Sequence, residues 1–110
     1  MNLKGNLSEK KCIPCESGVP PMNDKKIEVY LKKVKGWSLK QGRLSKHFKF
    51  KDFKKTLEFV NKVGKIAEQE GHHPNIYFTW GKCEIQIYTH AINGLSENDF
   101  ILAAKIDEIR

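Results

Sequence analysis

Imidazole is the side chain best suited to moving protons near neutral pH, and three of this chain's four histidines fall in two nearby stretches, EQEGHHPNIYFTW (68–80) and YTHAINGLSEND (88–99). His72 and His73 stand between Gly71 and Pro74, and His90 ends an alternating apolar pattern. Glu68 lies one helical turn before His72, and Asp99 opens the last helical pattern, so both carboxylates are within reach of an imidazole. Three chemistries fit these residue types. In a metal site, His72 or His73 would join His90 and a carboxylate from Glu68 or Asp99. Against that, adjacent histidines diverge from an extended backbone, and no H-x-x-x-H pair pre-orients two ligands. In a proton-transfer site, the imidazoles act as general acid and base while a carboxylate fixes the tautomer. Such a site suits addition or elimination of water on a heterocycle and needs neither a nucleophile nor a metal. In the third case the histidines are polar turn residues with ordinary hydrogen bonds. Asp99 has a double account as well, since its position as a helix cap explains it without any chemistry.

The elements that must position these residues follow from apolar spacing. Residues 1–22 show no hydrophobic period and end in Gly18-Val19-Pro20-Pro21, which reads as an irregular tail able to drape over a domain spanning 23–110. From Asn23, a capping residue, Ile27, Tyr30, Leu31 and Val34 keep helical spacing, and Gly36 is placed to end the helix. Trp37 and Leu39, a turn at Gln41-Gly42, then Leu44, Phe48 and Phe50 make a hairpin, with His47 on its outward parity and outside the site. Asp52 caps a second helix carrying Phe53, Leu57, Val60, Val63, Ile66 and Ala67, which Gly71 ends. Ile76, Phe78 and Trp80 share one face of the next strand, Gly81-Lys82 turns the chain, and Ile85, Ile87 and Thr89 share the inward parity of its partner. Ser96 and Asp99 form a capping box, with Leu95 and Phe100 as a hydrophobic staple, at the start of the last helix. The expectation is an α+β fold of order α-β-β-α-β-β-α: a four-stranded antiparallel sheet with three helices packed on one face.

Bulk properties narrow the class. A chain of 110 residues builds one core. No run of about 18 apolar residues offers a membrane span, and MNLKGNLSEKKC lacks the apolar stretch of a secretory signal, which makes a cytoplasmic protein the expectation. The net charge of +7 comes mostly from dispersed lysines. With no nucleic-acid motif, scarce arginine and aromatics at core spacing, a solvated lysine-rich surface accounts for it better than a nucleic-acid partner does. Cys12 and Cys15 form a C-x-x-C in the tail, half of a zinc site or a redox pair, and Cys83 reads as a small buried hydrophobe.

Taken together, Glu68, His72-His73-Pro74, Trp80, Thr89-His90 and the run Gly94 to Asp99 resemble the signature of the pterin-4a-carbinolamine dehydratases. The similarity extends to Gly36-Trp37 and the helix from Asp52, covering residues 23–110, and the tail with Cys12, Cys15 and Pro20-Pro21 resembles the leader of many bacterial members. The resemblance implies a hydro-lyase that converts 4a-hydroxytetrahydropterin to quinonoid dihydropterin and water, recycling tetrahydropterin for aromatic amino-acid hydroxylases. It implies no metal and no cofactor, the pterin being the substrate, and a homodimer or homotetramer built by pairing sheets edge to edge into eight strands.

By matching motif, the resemblance puts His72, His73 and His90 in the catalytic positions, with proton transfers at His72 and His90 and pterin binding at His73. Glu68 and Asp99 would support the imidazoles. The pocket would be lined by Gly71, His72, His73, Pro74 and the segment Tyr88, Thr89, His90 and Ala91. Which histidine gives a proton and which takes one stays open. Two positions depart from the pattern: Ala91 stands where an acidic residue is common, and Phe100 where tryptophan is. The same family includes transcription coactivators that stabilise a partner's dimer, so an interaction module is the alternative, as is a role around molybdopterin.

Overall fold

In the computed structural model, residues 7–12 and 20–109 are described. Helix α1 (Asp24–Leu31) leads into the hairpin β1 (Ser38–Lys40) and β2 (Arg43–Lys49), then α2 (Phe53–Glu70), the hairpin β3 (Asn75–Thr79) and β4 (Lys82–Ile87), and finally α3 (Glu97–Asp107). The strands form one antiparallel sheet in the order β1-β2-β4-β3, so the second strand of each hairpin lies at the centre. This is the expected α+β architecture, with the helices over one face of the sheet.

Period-two alternation decides which face is buried. Leu44 of β2 and Cys83, Ile85 and Ile87 of β4 point into the core with Phe59 and Val63 of α2 and Phe100, Leu102 and Ile106 of α3. Each fully buried side chain of this size contributes roughly 1.5–3 kcal/mol. The opposite face is polar. There Glu84 accepts hydrogen bonds from Gln86, Lys40 and Ser45 at 3.0–3.1 Å, and these contacts, Gln86 foremost, draw its carboxyl down to about 2. His47 is exposed on that face, away from the other histidines.

Local signals account for most element ends. The Asn23 and Asp52 side chains each accept a backbone N–H of the first helical turn, and Gln41 and Gly42, both at positive φ, make the tight turn of the first hairpin. Two boundaries differ from the sequence reading. Helix α1 stops at Leu31, well before Gly36, because two shorter-range bonds, Lys33 N–H to Tyr30 and Val34 N–H to Leu31, tighten the chain and drive Val34 into the core. The second turn is made by Trp80 and Gly81, with β4 resuming at Lys82. Phe78 and Trp80 stay exposed, Trp80 at 64%, at the edge strand β3, where the Phe78 ring meets Phe53 of α2.

Residues 7–12 are anchored to the rest of the chain. Leu7 is 2% exposed within the core, Lys105 Nζ donates to the Ser8 carbonyl, and Lys10 pairs with Glu97 at 2.8 Å. Cys15, Gly18 and Val19 lie outside the described residues, so the C-x-x-C pair is described only at Cys12.

Candidate active site

Three chain segments meet at one end of the domain, and a local feature sets each. The first is the end of α2. Gly71 adopts φ +64°, the left-handed conformation glycine takes most easily, and its N–H and that of His72 both bond back to the Ala67 carbonyl. The chain therefore leaves the helix sharply, and the two next side chains diverge. His72 turns inward, its Nε2 2.6 Å from Asp99 Oδ1, while His73 turns outward and back over the helix, its Nε2 2.5 Å from Glu68 Oε2.

The second segment follows β4. Thr89 and Gly94 exchange two backbone hydrogen bonds, pinching off a short loop that opens with the single 3₁₀ turn His90–Ile92. Close approach of Pro21 to Gly94 and a bond from the Met22 N–H to the Leu95 carbonyl hold this loop from outside. His90 is exposed at its start, with Nδ1 2.9 Å from the Tyr88 hydroxyl.

The third segment is the start of α3. Its capping box is present, Asp99 Oδ2 accepting the Ser96 N–H at 2.8 Å. The same oxygen accepts the Thr89 hydroxyl at 2.9 Å, and Oδ1 faces His72. Asp99 is completely buried. A buried carboxylate is tolerable only when its acceptor capacity is filled, and Asp99 has three donors. A carboxylate can only accept, so against an ionised Asp99 a neutral His72 would carry its proton on Nε2 and leave Nδ1 as the nitrogen able to take one.

Gly71, His72, His73, Pro74, Tyr88, Thr89, His90 and Ala91 all line a single cavity of about 530 Å³. Glu68 and Asp99 are not among the lining residues, and each meets one histidine of it, Asp99 buried and Glu68 exposed. The sequence reading left open which imidazole each carboxylate meets; Asp99 meets His72 and Glu68 meets His73. Among the described residues, no three His, Cys, Asp or Glu side chains are grouped as metal ligands would be.

The cavity has further walls that sequence reasoning missed. Glu70 and Asn98 line it, and so does Cys12. The Cys12 N–H donates to Glu70 Oε1 at 2.8 Å, and burial, aided by Glu70, pushes its thiol up to about 12, so it stays protonated. Glu70 and Asn98 adjoin Gly71 and Asp99 in sequence, which is the only signal that could have flagged them. Nothing local relates Cys12 to a site 58 residues away in the chain.

Comparison with other proteins places the chain among known families. Residues 20–109 match the family model described as pterin 4 alpha carbinolamine dehydratase. A Rickettsia canadensis protein named as a candidate pterin-4-alpha-carbinolamine dehydratase is 56% identical over 92% of this chain and 94% of its own length. A Rubrobacter xylanophilus protein of the same designation is 44% identical over 94% and 97%. A solved structure described as a transcriptional coactivator/pterin dehydratase from Brucella melitensis superposes with a TM-score of 0.75 at 28% identity, covering 79% of this chain and 95% of the other. With the family model matching residues 20–109 and relatives this similar over nearly the whole chain, the chain belongs to the pterin-4a-carbinolamine dehydratase family, a family of hydro-lyases.

Proposed function

We propose that this protein dehydrates 4a-hydroxytetrahydropterin to quinonoid dihydropterin in tetrahydropterin recycling, by histidine acid–base catalysis without a metal or a cofactor. The observation that carries the reading is the opening of His72 and His90 on one cavity, with His72 held from behind by the buried Asp99. In the reaction the C4a–O bond breaks and the hydroxyl leaves as water once it gains a proton. N5 loses its proton, and the N–H electron pair becomes the C4a=N5 double bond. One imidazole supplies the first proton and another accepts the second, so nothing is oxidised or reduced. His72, with its proton held on Nε2 by Asp99, is suited to accept at Nδ1. His90, on the opposite loop, is left to donate to the departing hydroxyl. His73, outward and exposed, binds and polarises the pterin, with Glu68 fixing its ring.

The free thiols Cys12 and Cys83 suit a reducing, cytoplasmic setting, and no helix among the described residues is long and apolar enough to cross a membrane. We also place a homo-oligomer contact on the β3 edge, where Phe53, Tyr77, Phe78 and Trp80 are exposed together. The same surface favours the second reading, an interaction module of the coactivator kind that the Brucella structure's description mentions.

The test is stopped-flow absorbance of quinonoid dihydropterin formation from 4a-hydroxytetrahydropterin generated in place, with a chelator present. Acceleration that persists with the chelator and is lost in His72→Ala supports the reading. Folded protein with no acceleration sinks it and leaves the interaction module. Acceleration abolished by the chelator overturns its metal-free part.

A further inference from the structure

The two histidines that open on the cavity have partners of different kinds, and the difference concerns where their protons can sit. An ionised Asp99 can only accept, which would place the proton of a neutral His72 on Nε2. Tyr88 is a hydroxyl, able to donate or accept, and it meets His90 at Nδ1, leaving Nε2 as the nitrogen without a protein partner in this contact. For Nε2 of His90 to exchange protons with substrate, the ring left after Nε2 gives up its proton must hold its remaining proton on Nδ1. That proton needs an acceptor, and the Tyr88 oxygen, 2.9 Å away, is in place to be one.

Tyr88 is itself fixed. Its ring lies 4.2 Å from the His90 ring, centroid to centroid, at an interplanar angle of 47°. The Arg43 guanidinium sits 4.3 Å from its centroid, and Arg43 is tethered in turn by a hydrogen bond from Nη1 to Gln86 Oε1 at 3.3 Å. A cation over a ring face is a favourable and directional contact, so β2 and β4 together hold the phenol where His90 needs it. Among the described residues no carboxylate bonds to the His90 ring, and without Tyr88 nothing in these contacts would select one ring orientation or one tautomer.

We propose that Tyr88 is a positioning residue whose hydroxyl accepts the Nδ1 proton of neutral His90, making Nε2 the nitrogen that exchanges protons with the pterin. This deepens the dehydratase reading and rests on it. Tyr88 does not touch the reacting atoms; it acts through His90, as outer partners of metal-bound histidines act through their ligands.

Two measurements test this. Nitrogen-15 NMR of the histidine rings above the His90 titration reports the tautomer directly and needs no activity. The expected wild-type result is a protonated Nδ1 and a pyridine-like Nε2 at His90, reverting in Tyr88→Phe toward the Nε2-protonated form that free histidine prefers. In stopped-flow dehydration, Tyr88→Phe is expected to lower turnover about 10-fold, the low end of what loss of an outer partner of a functional histidine costs, with the Michaelis constant moved less than about twofold. Arg43→Met, which keeps the hydroxyl and removes the cation, is expected to give a smaller loss of the same kind. A wild-type His90 protonated on Nε2, or a Tyr88→Phe enzyme with wild-type turnover, overturns the proposal while leaving the dehydratase reading standing. A wild-type protein that fails to dehydrate overturns that reading, and this role with it, whatever tautomer is seen.

Discussion

His72 and His73 are neighbours in sequence, and each meets a carboxylate at almost the same distance, 2.6 and 2.5 Å, yet the two pairs are different devices. The His72–Asp99 side chains are 14% and 0% exposed, whereas those of His73–Glu68 are 60% and 80% exposed. An exposed pair is screened and contributes about 0–1 kcal/mol. The buried one sits in a filled hydrogen-bond network that includes Thr89 and the start of α3, so its geometry is held by the fold itself. Contact distance alone therefore says little. What separates a group placed for chemistry from one placed for binding is how many other interactions would break if it moved.

That contrast can be broken by substitution. The largest effect is expected at the proton-transfer positions: His72→Ala and His90→Ala should each lower turnover about 100-fold, measured by stopped-flow absorbance, and losses below about threefold in both would sink the assignment. Next comes Asp99→Asn, which keeps the shape but puts an amide donor among three donors. It should cost about 1–3 kcal/mol of stability in denaturant unfolding. Asp52→Asn, at the cap of α2, is the control and should be nearly neutral, since asparagine caps as well as aspartate. A smaller effect is expected at His73→Ala, which should raise the Michaelis constant more than it lowers turnover; the reverse pattern would move His73 into the chemistry. Smallest is Glu68→Gln, with a stability change within about 0.5 kcal/mol by the same unfolding measurement.

The legible and illegible parts of the molecule divide along the same line. Asp52, Ser96 with Asp99, and Gly71 announce helix ends because capping involves residues three or four apart, and alternation in β2 and β4 selects the core face. Gathering Gly71 to Pro74 and Tyr88 to Ala91 around one cavity required family resemblance, since no spacing rule brings those turns together. Asp99 was noticed, but its partner depends on how the end of α2 meets the start of α3, a tertiary fact, and it turned out to be His72. Lys46 shows the same limit. Counted with the surface lysines, it shares the inward parity of Leu44 and Phe48 and pairs with the buried Asp107, which also accepts the Trp37 indole N–H. Trp80 is the opposite error: its parity matches Ile76, but an edge strand has no layer to cover it.

The most direct test of the difference between the two histidine pairs is side-by-side stopped-flow dehydration by Asp99→Asn and Glu68→Gln, at a temperature where circular dichroism shows both folded. If the buried pair positions the base and the exposed pair only steadies a binding group, Asp99→Asn should lose at least about 10-fold in turnover while Glu68→Gln stays within about twofold. Equal losses, or a greater loss in Glu68→Gln, would contradict the account.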